Sequence, residues 1–143
     1  MKNYLPDVNV WIALTFDAHS HHQTARVWLE ANGAGSIGFC RTTQQGFLRI
    51  ATNRKAMGDD VITLPQAWQA YDALQQDARI EFFDEPLNVE SYWRSFTANE
   101  NFSPKIWTDA YLAAFACAAD LNLVTFDRGF GRYPDLQTTL LSH

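Results

Sequence analysis

The stretch SPKIWTDAYLAAFACAADLNLVTFDRGF, Ser103–Phe130, decides how this chain is read. Ser103 followed by Pro104 pairs a cap residue with the residue that best tolerates the first helical position, so a helix opens there. The apolar run that follows gives way to a short strand, Leu121 to Phe126, which ends on Asp127. Asp109 falls in the early turns of the helix and Asp127 at the carboxyl tip of the strand. In an open α/β sheet both places lie at the edge where ligands bind.

A third acid has the same setting. Lys2 to Pro6 is a strand-like run ending on Asp7, and Val8–Leu14 continues as an apolar helix. If the two strands are parallel neighbours, Asp7, Asp109 and Asp127 converge. Converging carboxylates repel one another and resist desolvation unless a positive charge sits among them. A hard divalent cation with oxygen ligands meets that need.

Outward from these segments, helical and strand patterns alternate. Ser20-His21-His22-Gln23 has the form of a capping box opening a helix that Gly33 and Gly35 end. His19, His21 and His22 lie one and two residues apart, a spacing that points helical side chains in different directions, so they read as a solvated helix entry. Ser36–Cys40 is a strand, and Thr43–Asn53 a helix capped by Thr42 or Thr43, which aims Gln44 at the sheet edge. Asn53 to Asp60 reads as a polar loop. Thr63-Leu64-Pro65 opens a helix to about Asp77 with Trp68, Tyr71 and Leu74 as a core stripe. Ile80–Phe83 is a strand, Asp84 and Glu85 are solvated turn acids, Asn88–Asn99 is a helix, and Thr138–Leu141 a closing edge strand. This alternation predicts an α/β fold, a three-layer α/β/α sandwich with a mostly parallel central sheet of four to five strands.

The 143 residues suit one domain spanning 1–143, and 47% apolar with 14% aromatic content argues against disorder. The longest apolar runs fall far short of a membrane span and no signal segment opens the chain, so the expected location is cytoplasmic. Cys40 and Cys117 lack metal-ligand spacing and read as free thiols. The net charge of −5 opposes nucleic-acid binding overall. Locally it does not: Arg41, Arg49, Arg54, Lys55, Lys105, Arg128 and Arg132 flank the proposed acids.

LPDVNVWIAL (from Leu5), TTQQGFLRI (from Thr42), WTDAYLAAFA (from Trp107) and VTFDRGF (from Val124) stand in an order and spacing that resemble a PIN domain. The likeness is strongest to the small VapC-type toxin ribonucleases of bacterial toxin–antitoxin pairs, and it covers nearly the whole chain. The resemblance implies a ribonuclease dependent on Mg²⁺ or Mn²⁺, with Asp7, Asp109 and Asp127 as catalytic metal ligands and a metal-activated water as nucleophile. It also implies structured RNA such as tRNA or rRNA as substrate and a cognate antitoxin as partner. A homodimer joining two grooves is expected, with the helices carrying Trp68 or Trp93 supplying that interface or the antitoxin surface. Asn9 and Thr125 are expected to hydrogen-bond near the acids, and Arg49, Lys105 and Arg128 to contact substrate.

One residue departs from the pattern. Gln44 stands where such proteins usually have Glu, and no acid lies between Gly33 and Gly58 to replace it. A neutral amide brings no charge to a cation, so the alternative is a weakened or inactive PIN-like module acting through RNA or protein contacts. A phosphotransfer receiver is disfavoured, because Asp7 has no adjacent acid and no lysine follows the last strand.

Overall fold

A computed structural model describes residues 2–100 and 102–142. Its strands are β1 (Tyr4–Pro6), β2 (Ile37–Phe39), β3 (Ile80–Phe82), β4 (Asn122–Thr125) and β5 (Thr138–Leu140). They form one sheet in the order β3-β2-β1-β4-β5, and every pairing is parallel. The three inner strands are buried along their whole length, whereas β3 and β5 at the edges are partly exposed. Inner strands of a parallel sheet are covered on both faces, which is why they read as continuous apolar runs.

The helices are α1 (Val8–Thr15), α2 (His22–Ala31), α3 (Arg41–Ala51), α4 (Arg54–Met57), α5 (Leu64–Gln75), α6 (Val89–Phe96) and α7 (Ile106–Ala119). Two apolar clusters divide them. Tyr4 and Val124 pack with Trp11, Trp28, Phe47 and Tyr71 on one face, while Leu5 and Leu123 pack with Val89, Phe115 and Phe130 on the other. Successive strand residues point to opposite faces, so this alternation separates the two helix layers. Trp11 stacks on Phe39 with centroids 3.9 Å apart and planes 12° off parallel.

From β1 the chain builds β2 and β3 toward one edge, then returns to the other side of β1 as β4 and β5. Direction reverses between β1 and β4. At such a switch point the adjoining crossovers diverge and leave a crevice beyond the strands' carboxyl ends.

Several local expectations are corrected. The Ser20 capping box does not form: α2 begins at His22, and the His19 imidazole Nδ1 accepts from the His21 amide at 3.0 Å. Helix α3 begins two residues early, at Arg41, because Thr43 Oγ1 accepts the Cys40 amide at 2.9 Å in a reciprocal capping box. The segment read as a polar loop holds α4, capped by Asn53, and a 3₁₀ turn over Gly58–Asp60. Helix α7 begins at Ile106, with Pro104 and Lys105 in the preceding turn. The α5 stripe is split, since Tyr71 is buried but Trp68 is half exposed.

Candidate active site

Asp7 leaves β1 as the cap of α1. Its Oδ1 accepts the Val8 amide at 2.7 Å, and its own amide donates to Val124 O at 2.8 Å, fixing the turn against β4. A carboxylate that accepts the first free amide of a helix is an ordinary cap. The second oxygen sets this one apart: Oδ2 accepts from Thr125 Oγ1 at 3.0 Å. Burial nevertheless pushes the Asp7 carboxyl above the usual aspartate range, outweighing both hydrogen bonds, and the charges of Asp109 and Asp127 push the same way.

Asp127 follows β4 and caps a 3₁₀ turn over Arg128–Arg132, its Oδ1 accepting the Gly129 amide at 2.8 Å. Its backbone amide donates to Thr125 Oγ1 at 3.0 Å, so one buried hydroxyl ties both strand tips together. Asp109 enters from the first turn of α7. Burial raises its carboxyl, the Asp127 charge adds to that, and the Arg132 guanidinium opposes it.

Asp7 and Asp109 share the wall of a cavity of about 550 Å³. Helix α3 closes one side with Thr42, Gln45, Gly46 and Arg49, and Glu85, Trp93, Trp107 and Tyr111 close another. Gly46 is needed here. A Cβ at that position would sit 2.6 Å from Val8 Cγ2, so only glycine lets α3 approach the start of α1 this closely.

Asn9 and Arg49 line the cavity, whereas Lys105 and Arg128 are exposed and form no part of its wall. Gln44 is also off the wall. Its side chain is buried and Oε1 accepts from Arg41 Nη1 at 2.6 Å, on the side of α3 that meets Tyr71. Glu85 is not a free turn acid, for it lies on the wall and accepts a hydrogen bond from the Tyr111 hydroxyl. Trp93 likewise belongs to the cavity. Arg132, which sequence placed among the basic residues flanking the acids, is the cation facing Asp109, whereas Trp107 was not singled out by sequence although it lies two residues before that acid.

Among the described residues, no three His, Cys, Asp or Glu side chains are already gathered tightly enough to hold a metal ion. The three aspartates interact through their charges at one edge, with Asp127 turned toward its own cap. The donor set still suits a hard divalent cation: oxygen only, negative and partly desolvated, with the Arg132 guanidinium offsetting part of the Asp109 charge.

Carboxylates brought to one edge at the switch point of a parallel sheet define an α/β protein with an acid-lined crevice. The PIN domain family matches residues 4–136. Ribonuclease VapC41 of Mycobacterium tuberculosis is 43% identical over 143 residues, covering 96% of this chain and 98% of that protein. Ribonuclease VapC38 of the same organism is 32% identical, over 87% of this chain and 85% of its own length. Among solved structures, VapBC2 from Rickettsia felis, bound to a DNA fragment from its promoter, matches with a TM-score of 0.72 at 16% identity, over 98% of this chain and 99% of that one. VapC20 of M. tuberculosis, described as a sarcin-ricin loop cleaving toxin, matches at 0.64 and 16% identity, over 90% and 92%. The chain belongs to the PIN domain family, and within it to the VapC ribonucleases.

Proposed function

We propose that this chain is a divalent-metal-dependent endoribonuclease, the toxin of a toxin–antitoxin pair, that cuts structured RNA such as tRNA or rRNA. The observation that carries this reading is the Asp7–Thr125–Asp127 linkage, with Asp109 in charge contact with both acids. Asp7, Asp109 and Asp127 would hold Mg²⁺ or Mn²⁺. Bound there, the ion supplies a Lewis acid for water activation and for charge on the leaving oxygen.

The chain's own residues do the remaining work. The Val8 amide and Thr125 hydroxyl hold the Asp7 carboxylate in one orientation. Arg49 in the lining of the same cavity offers a cation to a phosphate, which favours RNA locally despite the negative net charge. A small protein antitoxin is the proposed inhibitor, a reading supported by the solved VapBC complexes of similar fold, and a homodimer is the proposed assembly. Gln44 gives no reason to expect inactivity, because its amide is committed to Arg41 away from the cavity.

The test is incubation of the purified chain with total RNA and Mg²⁺ or Mn²⁺, beside Asp7→Asn. Discrete cleavage products from the parent and none from the variant are expected. Products of equal abundance from both would contradict the proposal.

A further inference from the structure

Trp107 is 54% exposed at the second position of α7, on the same cavity wall as Asp109. A large ring left in solvent is unusual at a position so well braced. Trp93 meets it edge to face, with centroids 6.1 Å apart and planes at 84°, and Trp93 Nε1 donates to the Trp107 carbonyl at 3.1 Å. Tyr111 in turn packs against Trp93 at 5.1 Å and 78°, its hydroxyl bound to Glu85. The Trp107 ring is thus backed by a framework that consumes the polar groups behind it and leaves the residue half exposed.

Arg49 lines the same cavity. A flat π surface, a guanidinium and carboxylates lining one cavity specify an occupant with an aromatic face and an adjacent anionic group. We propose that Trp107, braced by Trp93, is a stacking platform for one unpaired RNA base beside the scissile phosphate. The inference rests on the nuclease reading and adds to it the residue that meets the substrate base. Bases within a duplex are already stacked on their neighbours and offer no free face, whereas loop and single-stranded bases do. The cavity volume lies within the range that takes a group of this size.

The experiment uses the full chain carrying Asp7→Asn, with chelator, so that RNA stays intact. Anisotropy of a labelled, unstructured oligouridylate is compared with that of the same strand annealed to its complement. Adding Trp107→Ala should weaken single-strand binding about tenfold, the loss of one base–aromatic stack, and change duplex binding by less than about twofold. Trp107→Phe keeps a π face and should hold single-strand affinity within about threefold. Trp93 is anchored to the Trp107 backbone, so neither variant removes its brace. Unchanged single-strand binding in Trp107→Ala, or equal losses on single strand and duplex, would overturn the platform. Failure of the nuclease reading shows separately, as absence of metal-dependent cleavage by the unsubstituted chain.

Discussion

The Thr125 hydroxyl donates to Asp7 Oδ2 at 3.0 Å across the β1–β4 pair, although the two residues stand 118 positions apart. The same oxygen accepts the Asp127 amide at 3.0 Å. Thr125 is 1% exposed, so no water takes its place easily. One buried hydroxyl therefore orients the Asp7 carboxylate and anchors the Asp127 backbone.

Thr125→Val keeps the β-branched shape and removes the hydroxyl. Metal affinity is expected to fall about 10- to 100-fold, as it does when a partner that orients a ligand is lost. Stability should drop by about 1–2 kcal/mol, because the Asp127 amide loses its acceptor. Thr125→Ser should restore both, as read by metal titration and thermal melting.

Gly46→Ala probes the approach of α3 to α1. The new Cβ would meet Val8 Cγ2 at 2.6 Å, and a β-branched side chain has little freedom to yield. Overpacking of this kind is expected to cost about 1–2 kcal/mol, in spite of alanine's better helix propensity. Adding Val8→Ala should recover most of the loss; a double variant no more stable than Gly46→Ala would show that the strain lies elsewhere.

Gln44→Glu places a carboxylate beside the Arg41 guanidinium that now binds the amide. Because this side of α3 faces Tyr71 and not the cavity, metal-dependent cleavage should proceed at the parent rate. Faster cutting by the variant would mean that position 44 feeds the acid site after all.

Asp77 tests the turn between α5 and β3. Arg79 grips it through side-chain and backbone hydrogen bonds, with Nη2–Oδ2 at 2.6 Å, and holds its carboxyl down to about 2. A depressed carboxylate stabilises the fold above its unfolded value, near 4, and that contribution is lost as pH falls toward 2. Asp77→Asn should therefore melt lower at neutral pH, by about 1 kcal/mol of stability for a partly exposed pair, and converge with the parent in acid.

The sequence located the acids because a short apolar run stopped by an aspartate and followed by a helix leaves few other placements. Parallel pairing of β1 with β4 then brings Asp7 and Asp127 to adjacent tips, in the register Pro6↔Val124. Helix facing was less legible. Reading α3 from Thr43 puts Gln44 at the helix entry, whereas the Cys40–Thr43 capping box starts the helix two residues earlier. Each residue turns a helix by about 100°, so such a shift reassigns which side chain meets the site. The capping sulfur of Cys40 gave no ordinary cap signal. Trp107 escaped notice for a related reason: its exposure depends on Trp93 and Tyr111, which the sequence places on separate elements.

The central claim is that Asp7, Asp109 and Asp127 share one divalent ion. Calorimetric titration of Mn²⁺ into the parent chain and into Asp7→Asn, Asp109→Asn and Asp127→Asn tests it most directly. Saturable binding by the parent is expected, with affinity lowered at least about tenfold in every variant. Parent-like binding by any one of the three would remove that aspartate from the site and contradict the claim.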